Sequence, residues 1–301
     1  MRILITGATG FLGRALVSAL AGEGHQEIAW VRSAERARGL LGAGVEIVVA
    51  SSGGYALREA LERCDAVVNL AGEPILGGRW TQARRRALAG SRVQLTQQLV
   101  QAIKEAHPRP GILVSGSAVG YYGDRGVELL QETSPAGAGF LAQLCQDWEA
   151  AGRAAEDAGL RVTILRTGIV LGREGGALAR MLPPFRLGVG GPIGSGRQYM
   201  PWIHLHDFIH IILSALADGR YWGAVNAVAP EAATNREFAR ALGHALHRPA
   251  ALPVPALALR LLFGEAAAVL LGSQRIEPQR LRELGFPFRF PALDKALADI
   301  L

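Results

Sequence analysis

The chain has 301 residues, of which 50% are hydrophobic and 19% are charged, and it carries 32 Lys and Arg against 26 Asp and Glu. This length and composition predict a globular protein and exclude the disordered, collagen-like and disulfide-scaffold classes. Only Lys104 and Lys295 are lysines, so the other 30 basic residues are arginines. The arginines are scattered along the chain, which favours a small anionic ligand over nucleic acid as the partner of this charge.

The sequence carries no signal for secretion, membrane insertion or cysteine chemistry. Cys64 and Cys145 lie far apart, and no ligand spacing surrounds either of them. The N-terminal segment lacks the charged region and long apolar region of a signal peptide. The longest apolar stretch, residues 256–272, carries two charged residues and is shorter than the roughly 20 apolar residues of a membrane span. We therefore expect a cytoplasmic protein with no membrane partner.

Short apolar runs alternate with amphipathic stretches along the first two thirds of the chain. The first run, RILIT at residues 2–6, is followed by a helical apolar stripe that reaches Leu20. Further strands are predicted at residues 28–31, 45–49, 66–70, 112–115, 162–165 and 225–229. This alternation predicts an α/β protein with a Rossmann-type, doubly wound parallel sheet.

The pattern changes after Leu171, where residues 172–201 are rich in glycine and proline. We interpret this segment as a loop-rich insertion beside a substrate site. Thr234 and Glu237 form a capping box that predicts a helix through about His247, and several prolines follow it. The predicted domains are a Rossmann-type domain of residues 1–171 plus about 223–247, and a smaller C-terminal substrate domain of residues 172–222 and 248–301.

A glycine-rich turn, TGATGFLG, joins the first strand to the first helix. Gly7 permits the turn, Gly10 lets the backbone approach a pyrophosphate, and Gly13 allows close packing of the helix on the strand. Glycines alone would fit any tight turn, but the flanking strand and helix favour a dinucleotide site. The predicted contacts from this turn are Gly7, Thr9, Gly10, Phe11, Leu12 and Gly13.

The end of the second strand distinguishes NAD from NADP. An acidic residue there would accept hydrogen bonds from the ribose of NAD, whereas this chain has Arg32 and Ser33 in WVRS. A guanidinium group suits the 2′-phosphate of NADP. We therefore predict NADP as the cofactor, and the alternative for Arg32 is a solvated surface side chain.

Further motifs follow in a fixed order: NLAGEPI at 69–75, SAVGYYG at 117–123, LRTGIVLG at 165–172, GGPIGSG at 190–196 and PWIHLHD at 201–207. With the glycine-rich turn, they resemble the atypical extended short-chain dehydrogenases/reductases, in the epimerase-family subgroup similar to nucleoside-diphosphate-sugar epimerases. Residues 250–301 resemble the short C-terminal domain of that subgroup, so the resemblance covers the whole chain. It implies that Leu70, Ala71, Gly72, Arg92 and Arg166 also line the cofactor.

The wider family uses a Ser or Thr, a Tyr, and a Lys four residues after the Tyr, which lowers the pKa of the tyrosine for acid/base chemistry. Neither Lys104 nor Lys295 stands four residues after a tyrosine. On the helix that begins near Phe140, the tyrosine is replaced by Phe140 or Leu141 and the lysine by Leu144 or Cys145. The catalytic pair is therefore absent from this chain.

The remaining catalytic candidates follow the fifth strand. Ser117 stands where the resemblance places the hydroxyl residue, and Ser115 is its rival on the same strand face. Tyr121, beside Arg125, is the best surviving proton donor, and the alternative is a tyrosine that only lines the substrate. Cys145 lacks an evident base, so a buried structural thiol is favoured over a nucleophile.

Four further side chains are predicted to face the substrate: Glu73, Arg197, Trp202 and His204. The histidines of HLHDFIH share no single periodicity, so no metal site is predicted. Asp207 in the same segment is predicted to cap the following helix.

Two functions are compatible with these features. The first is an NADP-dependent oxidoreductase or epimerase-like enzyme that acts on an unidentified small molecule. The second is a catalytically silent NADP-binding scaffold or redox sensor with a protein partner. The apolar segment 257–271 would form its interface unless this segment packs in the core. A homodimer is left open by the sequence.

Overall fold

The computed structural model describes residues 1–301 apart from the side chain of Ser52. Within these residues the strands are β1 (Arg2–Thr6), β2 (Gln26–Val31), β3 (Glu46–Val49), β4 (Ala66–Asn69), β5 (Ile112–Ala118), β6 (Leu129–Leu130), β7 (Arg161–Thr167), β8 (Ile169–Leu171), β9 (Tyr199–Met200), β10 (Trp202–His204), β11 (Gly223–Ala227), β12 (Ala233–Thr234) and β13 (Arg275–Ile276). The helices are α1 (Phe11–Gly22), α2 (Ala34–Leu41), α3 (Gly53–Glu62), α4 (Gln82–Ala89), α5 (Leu95–Glu105), α6 (Phe140–Arg153), α7 (Gly176–Arg186), α8 (Leu205–Ala217), α9 (Asn235–Ala245), α10 (Ala256–Phe263), α11 (Ala268–Leu271), α12 (Gln279–Glu283) and α13 (Leu293–Ile300).

The main sheet has the strand order β11-β7-β5-β4-β1-β2-β3, and every neighbouring pair is parallel. All seven strands coincide with the strands predicted from apolar runs, because strands buried on both faces carry continuous apolar sequence. The chain reverses its direction of winding between β1 and β4. In sheets of this kind, ligands bind at the carboxyl ends of the strands beside that reversal.

Both faces of the sheet are covered by helices. Ile3 and Ile5 of β1 pack in a cluster with Leu16 of α1 and Ile212 of α8. Leu4, which points to the opposite face, packs with residues of α3 and α5 such as Leu61 and Leu99. Consecutive residues of one buried strand therefore supply both layers of the core.

A third apolar cluster lies outside these two layers and joins α7, α9 and α13. Phe238 and Leu242 of α9 pack with Leu297 of α13. The predicted assignment of α9 to the Rossmann domain is therefore wrong, because the pairing of β12 with β9 carries α9 towards the insertion. The predicted assignment of α8 to the substrate domain is also wrong, since Phe208 packs against the main sheet.

The insertion is more regular than its composition predicts, because it contains α7. Leu178, Leu182 and Phe185 are buried on one side of this helix at spacings of four and three residues. The glycines and prolines of this segment concealed that periodicity. Pro183 and Pro184 lie inside α7 and remove two backbone donors from its last turns, close to where the helix ends.

The apolar segment near residue 260 forms α10, a short 3₁₀ turn and α11. Ala266 and Ala267 are buried, whereas Leu257, Leu261 and Leu262 are exposed. One side of the segment therefore packs on the protein and the other faces solvent. In the described part of the chain, no helix is long and apolar enough to cross a membrane.

Candidate functional site

The glycine-rich turn forms a tight cradle at the carboxyl end of β1. Gly7 has φ +70°, and a Cβ atom on it would lie 2.7 Å from the carbonyl oxygen of Leu70. A Cβ on Gly13 would lie 2.2 Å from the carbonyl oxygen of Gly7. Gly10 precedes α1, and no side chain of the described residues caps this helix. Its first N–H groups are therefore available to an anion such as a pyrophosphate.

The side chain of Phe11 anchors the start of α1 to the insertion. Cβ atoms on Gly172 and Gly175 would lie 2.7 and 2.8 Å from its ring, and one on Gly176 would lie 3.1 Å away. Only glycines leave room for this ring. The insertion is therefore held against the cradle by the side chain of Phe11, while the backbone of that residue remains in the turn.

A buried polar chain supports the neighbouring turn after β4. Thr6 Oγ1 donates to Asn69 Oδ1 at 2.6 Å and accepts a hydrogen bond from the backbone N–H of Ala71 at 3.1 Å. Asn69 Nδ2 donates to Thr96 Oγ1 at 2.8 Å, and the Trp148 indole donates to the same oxygen. These bonds place the segment of Leu70, Ala71 and Gly72 directly beside Gly7.

Three arginines converge on Glu73 at the edge of the cradle. The carboxylate of Glu73 lies 3.4 Å from Arg32 Nη1 and 3.7 Å from Arg84 Nη1. The carbonyl oxygen of Glu73 accepts a hydrogen bond from Arg92 Nη2 at 2.8 Å. Because the Arg32 side chain is 89% exposed, it is free to turn towards a ligand. Arg84 was not predicted from the sequence, although the run ARRRAL contains it.

Arg92 and Ser33 have well-defined local roles in this cluster. The guanidinium of Arg92 lies 5.3 Å from the Trp148 ring centroid. A Cβ atom added to Gly72 would lie 3.1 Å from the same guanidinium. Burial lowers the pKa of Arg92. Ser33 Oγ accepts the backbone N–H of Arg36 and so caps α2, which leaves its hydroxyl proton free.

Arg166 makes a buried ion pair instead of facing the cradle. Its Nε and Nη2 atoms donate to the two carboxylate oxygens of Glu149 at 2.8 and 2.9 Å. Its Nη1 atom donates to the hydroxyl of Tyr122 and to the carbonyl of Glu132, both at 3.0 Å. The expectation that Arg166 binds the cofactor is contradicted, because these partners engage four of its five donors and the residue is only 3% exposed.

Ser117 joins this buried pair from the end of β5. Its Oγ atom donates to Glu149 Oε1 at 2.8 Å. The hydroxyl proton of Ser117 is thereby directed at the carboxylate, and the residue is only 4% exposed. Ser115 is fully buried, and its Oγ lies 3.4 Å from Asn69 Nδ2, so it belongs to the polar chain under the cradle.

The two adjacent tyrosines occupy different environments. Tyr122 is fully buried and donates to Asn226 Oδ1 at 2.6 Å. Burial raises the pKa of Tyr122 to about 12. Tyr121 is half-buried, and the Arg166 guanidinium lies 3.5 Å from its ring centroid. Arg125, which the sequence placed beside Tyr121, pairs with Glu128 instead.

The face of α6 that would carry a catalytic tyrosine and lysine is apolar. The Phe140 ring packs edge-on against Trp80 at 5.2 Å, and Leu144 is buried. Burial raises the pKa of the Cys145 thiol to about 12. The thiol is therefore protonated at neutral pH, as expected for a structural cysteine.

The expectation that Trp202 and His204 face the substrate is wrong. Trp202 is 1% exposed, and its indole donates to the carbonyl of Glu231. His204 is buried against the Phe290 ring at 3.9 Å, and its Nδ1 atom caps α8 by accepting the backbone N–H of His206. Burial lowers the pKa of His204. Trp202 belongs to the third apolar cluster, and His204 packs on Phe290 of that cluster, so both side chains stabilise it.

Asp207 does not cap α8, because His204 has that role. Its two carboxylate oxygens accept the backbone N–H groups of Arg289 and Phe290, each at 2.9 Å, and so hold the C-terminal segment. His206 and His210 stack at 4.1 Å. No group of side chains suited to a metal ion is found in the part of the chain that the structure describes.

Arg79, which precedes α4, and Arg85, which lies in α4, hold α10 and the 3₁₀ turn that follows it. The sequence did not predict this contact. Arg79 donates to the carbonyl oxygens of Leu261 and Leu262, and Arg85 pairs with Glu265. Arg197 is exposed on the glycine-rich loop of the insertion, and its predicted contact with a substrate stays a prediction.

Comparison with known proteins identifies the family. Residues 3–227 match the NAD dependent epimerase/dehydratase family, and residues 254–300 match a domain of unknown function, DUF1731. The chain belongs to the NAD dependent epimerase/dehydratase family. This result confirms the resemblance that the sequence motifs indicated.

Three relatives illustrate the match to this family. The human epimerase family protein SDR39U1, crystallised with NADPH, is 39% identical with a TM-score of 0.89, and the match covers 100% of this chain and 99% of that chain. The SDR39U1 homologue of Arabidopsis thaliana is 40% identical over 100% of this chain and 87% of its own length. A nucleoside-diphosphate sugar epimerase from Corynebacterium glutamicum is 33% identical with a TM-score of 0.78, over 100% of this chain and 58% of that chain.

Proposed function

We propose that this epimerase/dehydratase-family protein binds NADP in the cradle after β1. The observation that carries the proposal is the convergence of Arg32 and Arg84 on Glu73, which follows β4, the neighbour of β1 in the sheet. The glycine turn after β1 leaves no room for a Cβ atom at Gly7 or Gly13. Two guanidinium groups can bind the 2′-phosphate by charge-assisted hydrogen bonds. The NADPH in the crystals of the human relative supports the same cofactor.

The cofactor contacts that we propose come from three segments around the cradle. The amides of the glycine-rich turn would bind the pyrophosphate, and the turn after β4 would approach the cofactor from the other side of β1. Arg92, whose guanidinium group packs against Gly72, would also contact the cofactor. The residues predicted from the sequence are Gly7, Thr9, Gly10, Phe11, Leu12, Gly13, Arg32, Ser33, Leu70, Ala71, Gly72 and Arg92, and the structure adds Arg84.

We further propose an oxidoreductase or epimerase-like activity on a small molecule. Bound NADP would supply hydride transfer at its nicotinamide ring. Ser117, with its proton directed to Glu149, would accept a hydrogen bond from a substrate hydroxyl and orient that group. Tyr121 is the half-buried phenol of this region and would donate the proton that the absent Tyr–Lys pair supplies elsewhere, while Glu73 and Arg197 remain candidates for substrate contacts.

A second function is favoured by the apolar face of α6 and by the exposed leucines of α10. In this alternative the protein is an NADP-binding scaffold or redox sensor whose partner is another protein. Leu257, Leu261 and Leu262 would form the contact surface. A sensor would change its oligomeric state or partner affinity between NADP⁺ and NADPH, which sedimentation measurements with each form would reveal.

The proposed NADP binding and the proposed enzymatic activity are tested by separate measurements. Arg32→Asp should weaken NADP binding by about 1.5–3 kcal/mol, because it removes a charge-assisted contact to the phosphate. Arg58→Asp, at a partly exposed arginine away from the cradle, serves as the control for the same change of two charge units. Isothermal titration with NADP⁺ and NAD⁺ measures the effect, and unchanged NADP affinity in Arg32→Asp would remove Arg32 from the proposed site. A panel of carbonyl compounds and nucleotide sugars that neither changes cofactor absorbance nor yields an epimerised product would favour the sensor.

A further inference from the structure

The outer side of α9 carries a row of basic side chains that no role in cofactor binding accounts for. Arg236, Arg240 and His244 follow one another at intervals of four residues, so they lie along one face of the helix at steps of about 6 Å. Arg248 lies just beyond the helix. All four side chains line one groove of ≈ 720 Å³, together with Pro192, Gly194, Ala250, Ala251 and Pro253.

The chain segment that follows α9 forms a second wall of this groove. His247 has φ +53°, a left-handed conformation that turns the chain back along α9. The backbone N–H of Arg248 then donates to the carbonyl of Gly243 at 2.9 Å. A Cβ on Gly243 would lie 2.6 Å from Ala250 Cβ, so only glycine allows this close approach.

The far end of the same wall is fixed by the insertion. Val254 N–H donates to the carbonyl of Pro192, and Gly194 N–H donates to the carbonyl of Val254, both at 2.8 Å. A Cβ on Gly191 would lie 2.1 Å from the carbonyl oxygen of Leu252. The groove is therefore bounded by two backbone segments that are hydrogen-bonded in place.

Two of the arginines are held by backbone carbonyls and retain free donors. Arg236 Nη2 donates to the carbonyl of Ser195 at 2.8 Å, and Arg248 Nε donates to the carbonyl of Arg186 at 3.2 Å. Carbonyl partners orient a guanidinium without neutralising it. Arg240 lies between them along the helix, and no hydrogen bond or ion pair is found for it among the described residues.

No carboxylate lines this groove within the described part of the chain. The nearest acidic group in sequence is Glu237, three residues before Arg240, and it is used in the capping box with Thr234. The charge of Glu237 offsets part of that of Arg240, but Arg236 and Arg248 form no ion pair among the described residues, so the groove keeps an excess of positive charge. The lining also holds no Phe, Tyr or Trp on which a base could stack, which disfavours single-stranded nucleic acid.

We propose that this groove, lined by Arg236, Arg240, His244 and Arg248, is a second anion site that binds a small molecule carrying a diphosphate group. The proposal is independent of the NADP site, because the groove shares no residue with the cradle after β1. Its size suits a small ligand, and its successive guanidinium groups can engage adjacent phosphates. The source of the diphosphate is either inorganic pyrophosphate or an organic diphosphate.

Titration calorimetry on the full chain tests the site directly. The protein is first saturated with NADP⁺, so that the cradle is occupied, and then titrated with pyrophosphate. We expect saturable binding of one pyrophosphate per chain, weakened about tenfold or more by Arg240→Gln, since one charge-assisted hydrogen-bonding group is lost. The control Arg109→Gln removes an exposed arginine just before β5 that does not line the groove, and it should leave the affinity unchanged.

The ligand class is resolved by two further titrants. Binding of ADP with an affinity similar to pyrophosphate supports the proposal with an organic diphosphate, and binding of pyrophosphate alone supports it with the inorganic ion. Equal binding of AMP overturns the diphosphate assignment. Absence of saturable binding, or equal weakening by Arg240→Gln and Arg109→Gln, overturns the site itself. The NADP affinity of Arg240→Gln, measured in the same way, should equal that of the wild type, so the two sites are tested separately.

Discussion

Ser117 Oγ donates to Glu149 Oε1 at 2.8 Å, and this contact links the end of β5 to the buried face of α6. Glu149 in turn accepts two hydrogen bonds from Arg166. Burial alone would lower the pKa of Arg166, but the hydrogen bonds and charge of Glu149 raise it. The helix that lacks a catalytic lysine thus carries a buried carboxylate whose positive partner comes from β7.

Glu149→Gln should strongly destabilise the fold. The substitution leaves the buried guanidinium of Arg166 without its counter-charge, and breaking one side of a buried pair costs about 3–5 kcal/mol. Urea unfolding measures the loss. Glu156→Gln removes the partner of Arg153 in an exposed pair 3.9 Å apart and should cost less than about 1 kcal/mol. Equal losses in the two variants would show that Arg166 does not depend on Glu149.

Gly13→Ala and Gly22→Ala form a matched pair within α1. The added methyl group at Gly13 would lie 2.2 Å from the carbonyl oxygen of Gly7, whereas nothing lies within 4 Å of the one at Gly22. We expect Gly13→Ala to cost about 1–3 kcal/mol of stability and to abolish NADP binding, because the cradle must open. Gly22→Ala should gain up to about 1 kcal/mol. Unfolding curves and cofactor titrations of both variants check this contrast.

Glu73→Gln should strengthen NADP binding. The carboxylate of Glu73 competes with a phosphate for Arg32 and Arg84, while its backbone contacts with Ser91 and Arg92 survive the substitution. Since these pairs are partly exposed, the gain should be below about 1 kcal/mol and should shrink at high salt. Calorimetry at two ionic strengths, with the exposed Glu59→Gln as control, measures it. Weaker binding in Glu73→Gln would mean that the carboxylate itself holds the cofactor.

Alkaline pH should destabilise the protein partly through Cys145. Its thiol pKa is raised by burial from the ordinary 9.0 to about 12, so the folded state keeps a proton that the unfolded state releases. The stabilising contribution is complete below about pH 9 and is lost as the pH rises towards 12. The free energy of unfolding of Cys145→Ala should therefore fall less between neutral pH and about pH 10 than that of the wild type. Parallel slopes for the two proteins would contradict this assignment.

Much of the fold follows from local sequence. The strands of the main sheet are short apolar runs, and all but the partly exposed edge strand β3 are largely buried; the apolar pattern is specific enough to place all seven. The cradle is equally local, because Gly7 and Gly13 are required by contacts within a few residues and by the neighbouring turn at Leu70. The capping box of Thr234 and Glu237 starts α9 as predicted.

The environment of single side chains was harder to predict. Trp202 and His204 follow the insertion in sequence, but β10 carries Trp202 into the third apolar cluster and His204 against Phe290 of that cluster. Arg166 ends a strand on the ligand side, yet Glu149 and Tyr122 hold it inside the protein. Those partners come from other elements, so no local pattern could reveal them.

The sequence by itself determined the sheet, the phosphate cradle and the absence of the Tyr–Lys pair, because each depends on residue types at short, fixed spacings. Only the tertiary structure decided which charges meet. It brought Arg84 to Glu73, Glu149 to both Ser117 and Arg166, and Arg248 beside the basic face of α9. The physical reason is that electrostatic contacts depend on distances between side chains from separate elements, and those distances exist only after the layers have packed.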